Sequence, residues 1–129
     1  MQLLLKDELP FTTVKISYQG KSIEIDNVLV DTGSASTLFA ADILSAIHII
    51  PEPQDKLYAI RGVGGSETVF SRDMDFVQVG EQRLDQFEVE IGGMDYGFEI
   101  NGILGMDFLA AVGAIINLRE FRIEFASTG

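Results

Sequence analysis

The sequence predicts an all-β fold closed into a barrel, with one or two short helices. Three observations support it: apolar residues alternate with polar ones over several short runs, Gly-bearing turns separate those runs, and only two stretches show helical spacing. With 129 residues the chain suits one domain around one core, and 47% apolar content with a mean hydropathy of +0.22 fits a packed interior. Residues 1–129 are taken as a single domain with its core within about 11–125.

Taken in order, Phe11 to Tyr18 alternates through Phe11, Val14, Ile16 and Tyr18, turns at Gln19-Gly20-Lys21, and returns through Ile23, Ile25 and Val28. That pattern predicts a hairpin. Its second arm continues as Val28-Leu29-Val30, an aliphatic run that reads as buried strand and delivers Asp31. Thr37 to Ile50 places Leu38, Phe39, Ile43, Leu44 and Ile47 near helical spacing before Pro51 and Pro53, so a short helix is expected near Ala40 to Ile47. Ile60-Arg61-Gly62-Val63-Gly64-Gly65-Ser66, followed by alternating Thr68, Phe70 and Arg72, predicts a Gly-tipped hairpin. A further hairpin is expected over Met74 to Ile91, turning at Gly80-Glu81. Gly92 to Gly97 reads as a loop, Met106 to Val112 as a helix ended by Gly113, and Ile115 to Leu118 with Phe121 to Phe125 as a C-terminal hairpin about Arg119-Glu120.

The most informative segment is Val30-Asp31-Thr32-Gly33-Ser34, which sets a lone carboxylate on a tight turn at the tip of an apolar strand. The residues alone leave two readings: an ordinary Asp-Thr-Gly turn capping a strand, and a catalytic geometry. Asp is among the residues least often buried without a partner, so its placement here wants a reason.

Two further segments bear on the choice. Ile103-Leu104-Gly105, a pair of aliphatics followed by Gly, resembles the second signature of aspartic proteases, and the hairpin tipped by Gly62 to Gly65 resembles a flap. The order Asp-Thr-Gly-Ser, flap, aliphatic-aliphatic-Gly, short helix resembles one subunit of a retroviral-type aspartic protease, a retropepsin, over roughly Phe11 to Phe125. Pepsin-like enzymes carry two such motifs on one longer chain, whereas no other Asp here is followed by Thr-Gly or Ser-Gly. The resemblance therefore implies an acid-protease-type barrel subunit that supplies half a site and a homodimer that completes it. It also implies an aspartic endopeptidase in which Asp31, Thr32, Gly33 and Ser34 form the catalytic turn. Gly33 would let substrate approach the backbone, Thr32 would lock the turns across the dimer axis, and Ser34 would donate to Asp31. Gly62, Val63, Gly64 and Gly65 would form the closing flap, and Ile60, Val63, Ile103 and Leu104, with Gly105, would wall an apolar substrate pocket. The chain departs from viral enzymes at Ala35 and Ser36, where those often carry acids, and in its C-terminal hairpin, where those end in one strand.

Composition narrows the partners. Nine basic residues are scattered among a net charge of −11 and a pI near 4.3, which argues against nucleic acid. The absence of cysteine excludes disulfides and thiol chemistry and permits a reducing compartment. Leu3-Leu4-Leu5 is too short for a signal peptide's apolar core, and no run reaches membrane-span length, so a cytoplasmic protein or a domain excised from a longer one is expected, with no membrane partner. His48, the single histidine, ends an apolar stretch and suits packing or a helix end rather than a Ser-His or Cys-His nucleophile. Glu90, Asp95 and Glu99 do not fit a calcium loop, so no metal and no cofactor is expected. Two rivals stay open on the sequence. One is a non-catalytic peptide-binding or dimerisation module of the same fold, and the other is an unrelated acidic barrel that binds a small ligand.

Overall fold

The computed structural model describes residues 1–55, 57–62, 65–93 and 99–125, and of 58–62 and 65–68 the backbone alone. Its strands are β1 (Leu4–Lys6), β2 (Leu9–Tyr18), β3 (Lys21–Val30), β4 (Leu38–Ala40), β5 (Leu57–Gly62), β6 (Gly65–Val79), β7 (Gln82–Gly92), β8 (Gly102–Leu104), β9 (Ala114–Asn117) and β10 (Arg122–Phe125). Two short helices, α1 (Ala41–Leu44) and α2 (Met106–Ala111), accompany them.

The expected barrel is present. Neighbouring strands run β2-β3-β8-β4-β7-β6, and β6 returns to β2 through Lys15–Ser17 against Phe76–Gln78, which closes a six-stranded ring. Closure demands that strands bend, and the sequence provides the bends. The β2–β3 register shifts between Thr12 and Val14, opposite Asn27 with its left-handed φ of 53°, and Gln86 within β7 also takes a left-handed φ, 53°, with the β6–β7 register kept. Inward positions of β2 and β6, Val14, Ile16, Met74 and Val77, are fully buried. They meet Ile25, Val28, Ile91 and Leu104 in one core. Helix α2 plugs it by inserting Phe108, whose ring meets Phe87 edge-on at 5.8 Å, and burial of such a side chain is worth roughly 1.5–3 kcal/mol.

Turns follow local chemistry. Gln19 and Gly20 take φ of 49° and 82°, the mirror-image turn whose twist suits a two-residue hairpin. Asp75 on β6 secures it by accepting from the Gly20 amide at 3.0 Å and the Ser17 hydroxyl at 3.1 Å. The Gly20 amide holds the Asp75 carboxyl below its ordinary pKa, against the opposing pull of burial. Gly113, at φ 63°, stops α2 where a residue with a side chain would be strained.

Three expectations are refined. The helix expected near Ala40 to Ile47 is one α turn followed by a 3₁₀ turn at Ser45–Ile47, and exposed His48 ends it with a left-handed φ of 64° before either proline is reached. The Gly-tipped hairpin and the Met74 to Ile91 hairpin share β6, one 15-residue strand. The C-terminal hairpin of β9 and β10 gains a third neighbour, because Gln2 bridges Arg122 and Met1 and Leu3 bond to Ile123 and Phe121. Two strands alone would be marginal in water, and that third neighbour widens the ribbon.

Among the described residues, no helix is long and apolar enough to cross a membrane.

Candidate active site

Strand β3 delivers Asp31 by pairing in parallel with β8, Val30 opposite Leu104. The next backbone amide, that of Asp31 itself, donates to the Leu104 carbonyl at 3.0 Å. Beyond it the chain turns tightly: the Ser34 amide donates to the Asp31 carbonyl at 3.2 Å, and the Gly33 amide donates to Asp31 Oδ1 at 2.9 Å. A Cβ on Gly33 would sit 3.1 Å from that same oxygen, so a side chain there crowds the carboxylate. Among the described residues nothing donates to Asp31 Oδ2 and nothing pairs with the Thr32 hydroxyl. Asp31 is half-buried, while Thr32 and Gly33 are exposed. One carboxylate oxygen is thus fixed by a hydrogen bond and the other, among the described residues, is not.

A buried network braces this turn from behind. Thr37 is fully buried; its hydroxyl donates to Asp107 Oδ1 at 2.7 Å and accepts from the Gly105 amide at 3.1 Å, and its own amide donates to Asp107 Oδ2 at 3.2 Å. Asp107 Oδ1 also takes the Phe108 amide at 2.8 Å, a first-turn donor that α2 cannot satisfy internally. The Met106 amide donates to the Ser34 carbonyl at 2.8 Å and the Asp107 amide to Ala35 at 3.2 Å. Sequence reasoning missed both Thr37 and Asp107. Asp107 lies two residues past the Ile103-Leu104-Gly105 signature, and an acid in the first turn of a predicted helix was the available signal.

The other singled-out residues fall as follows. The Ser34 hydroxyl donates to the Ser36 carbonyl at 2.8 Å rather than to Asp31, because the turn carries it toward its own loop. Leu104 is fully buried in the main core and so does not face a pocket; its carbonyl is what serves the turn. Ile103, 8% exposed, packs in a second apolar cluster with Phe11, Leu38, Val69 and Ile100. Gly105 lies against the loop, where an added Cβ would come within 2.3 Å of the Ser36 carbonyl oxygen. Ile60, Gly62 and Gly65 lie on the hairpin of β5 and β6, with Gly62 opposite Gly65, while Val63 and Gly64, like Asp95 of the 92–97 loop, lie outside the described residues. A surface cavity of about 250 Å³ lies by α1, lined by residues including Ala41, Asp42, Glu99 and Asn101, and includes no part of the Asp31 turn.

A family model described as aspartyl protease matches residues 13–108, from β2 into α2, and so takes in the Asp31 turn, the β5–β6 hairpin and Gly105. The chain belongs to the aspartyl protease family. A comparison with curated proteins gives no match. Membership of the aspartyl proteases makes the peptide bond the substrate class. The β9–β10 hairpin lies beyond the matched residues.

In this aspartyl protease the base of the β5–β6 hairpin is held by Arg72. Its guanidinium donates through Nε and Nη2 to the two oxygens of Asp55, at 3.2 and 2.5 Å, through Nη1 to the Tyr18 hydroxyl at 3.1 Å, and through Nη2 to the Ile50 carbonyl at 3.0 Å. It also lies over the Tyr18 and Phe70 rings, 5.6 and 5.5 Å from their centres. Segment 50–55, which leads into the hairpin, is thereby tied to β2 and β6. Hydrogen bonding from Arg72 holds the Asp55 carboxyl below its ordinary pKa, outweighing burial, with the Glu52 amide assisting. A carboxyl whose folded pKa is depressed stabilises the fold above its unfolded value, about 3.9, and that gain is lost as pH falls through the lowered value. The difference in urea midpoint between wild type and Asp55→Asn is therefore expected to hold constant from about pH 7 to 5 and to vanish only in stronger acid. A difference that vanished near neutrality would contradict the clamp.

Proposed function

We propose that the chain is one subunit of a retropepsin-like homodimeric aspartic endopeptidase, with Asp31 of two copies forming the catalytic pair. The observation that carries this is an Asp31 carboxylate with one oxygen held by the Gly33 amide and the other taking no hydrogen bond among the described residues, on a chain that holds one Asp-Thr-Gly motif. A site completed across a twofold axis takes half of its residues from each chain. Two carboxylates about 3 Å apart cannot both ionise, so the pair of an aspartic protease shares one proton.

In the mechanism this supports, a water between the two carboxylates attacks the peptide carbonyl carbon. The ionised Asp31 takes the proton that the water loses, while the protonated one hydrogen-bonds the forming oxyanion. Collapse of the tetrahedral intermediate breaks the C–N bond as a carboxyl proton passes to the leaving nitrogen, and no covalent enzyme intermediate forms. The Gly33 amide keeps one oxygen of Asp31 pointed while the other works. Thr32 meets its counterpart across the axis, and the hairpin from Gly62 to Gly65 closes over the substrate as an added strand. Ile103 supplies an apolar contact, which favours bulky apolar side chains around the cleaved bond.

Digestion of a broad peptide mixture from about pH 3.5 to 7, with mass measured by light scattering, tests the reading. Cleavage between bulky apolar residues by a particle of twice the chain mass is expected. Full cleavage by a monomer would overturn the homodimer, and no cleavage by a folded dimer would make the protein a binding module of the same fold.

A further inference from the structure

We propose that Thr37 and Asp107 are positioning residues for Asp31, acting through the single peptide unit that joins Leu104 to Gly105. The inference rests on the reading of Asp31 as the catalytic carboxylate and assigns the groups that aim it. The carbonyl of Leu104 and the amide of Gly105 belong to one planar unit that cannot twist internally. At one end its oxygen accepts from the Asp31 amide at 3.0 Å; at the other its N–H donates to the Thr37 hydroxyl at 3.1 Å. That hydroxyl is fixed in turn by Asp107, which takes both the hydroxyl and the amide of Thr37, one on each carboxylate oxygen. A carboxylate accepting two bonds from one residue fixes its orientation as well as its distance.

The chain of contacts is therefore Asp107 carboxylate, Thr37 hydroxyl, Leu104–Gly105 peptide, Asp31 amide. Each bond polarises the next in the same sense, and the fully buried Thr37 shields its own bonds from competing water. Without Thr37 the peptide unit is held at one end only and can rock about the flanking Cα atoms. The Asp31 backbone, and with it the direction of the free oxygen, would rock with it. The loop after the turn holds Ala35 and Ser36, neither of them an acid, and the bracing acid stands on α2.

Thr37→Val removes the hydroxyl at nearly constant volume. The expected result is a fall of about 10- to 100-fold in kcat per folded chain with KM within about twofold, because substrate still binds but the reacting groups are misaligned. The Asp31 amide should exchange with solvent about tenfold faster. Thr37→Ser, which keeps the hydroxyl, should return both to within about threefold of wild type, whereas a loss of packing alone would not be rescued this way. Asp31→Asn is run alongside. If it cleaves like wild type, the catalytic reading of Asp31 fails, and Asp31 amide exchange still decides the brace by itself. If Asp31→Asn is inactive while Thr37→Val keeps wild-type kcat and wild-type Asp31 exchange, the positioning role is overturned. Should Thr37→Val not fold, Asp107→Asn decides: it keeps one acceptor oxygen but turns an NH₂ toward the Thr37 amide. Lower kcat with faster Asp31 exchange supports the brace, and unchanged values overturn it.

Discussion

Asp31→Asn is expected to leave a folded chain of unchanged mass that no longer cleaves peptides, with kcat/KM lower by about 10⁴-fold, the upper range for losing a general acid–base pair. The substitution is nearly isosteric, and an Asn oxygen can still accept from the Gly33 amide, so the turn keeps its shape. What disappears is the ionisable oxygen that takes the proton of the attacking water. A mixing experiment extends the test. If one dimer uses Asp31 from both copies, an equal amount of the Asn variant added to wild type and allowed to exchange subunits should cut activity to about half, because half of the wild-type chains then sit in dead mixed dimers. Undiminished activity after complete exchange would show that one carboxylate suffices and would end the shared-pair reading.

The second large effect is expected at Gly105. Its added Cβ would meet backbone, 2.3 Å from the Ser36 carbonyl oxygen, 2.6 Å from the Ser36 carbonyl carbon and 3.0 Å from the Ser34 carbonyl oxygen. Backbone cannot swing aside as a long side chain can, and the Met106 amide already draws Ser34 inward at 2.8 Å. Gly105→Ala should therefore cost at least about 1–3 kcal/mol, the usual toll of forcing atoms into a filled interior, and should lower activity by shifting the Asp31 loop. A urea midpoint equal to wild type at an unchanged denaturant slope would refute the close approach.

Much of this was legible in the sequence. Period-2 alternation in Phe11 to Tyr18, the Gln19-Gly20 turn and the Gly80-Glu81 turn each write a local rule that the fold obeys, so the hairpins could be read directly. Gly113 likewise announced the end of α2. What could not be read is what distance in sequence hides. Strands β4 and β8 are three residues each, too short to display a period, and they pair with β7 and β3 in parallel across long separations. The polar brace has the same character. Thr37 and Asp107 are separated by 70 residues, and no local pattern announces that a hydroxyl in one loop will meet a carboxylate on a late helix. Arg72 was read only as one member of an alternating strand, yet its partners come from β2 and the 50–55 segment, which only the closed barrel brings together. Ser34 and Leu104 show the converse limit: a motif fixes which residues surround the turn, but whether a side chain or a carbonyl does the work depends on which way the backbone faces.

Strand β6 runs unbroken from Gly65 at the hairpin tip to Val79, pairing on its way with β5, β7 and β2. The hairpin is thus the free end of a beam whose other end is built into the wall, and the Arg72 contacts sit near its point of support. Further along, the same strand forms the seam where Lys15–Ser17 meet Phe76–Gln78. The hairpin and the closure of the barrel thus draw on one strand, so a change that breaks β6 between them removes support from both.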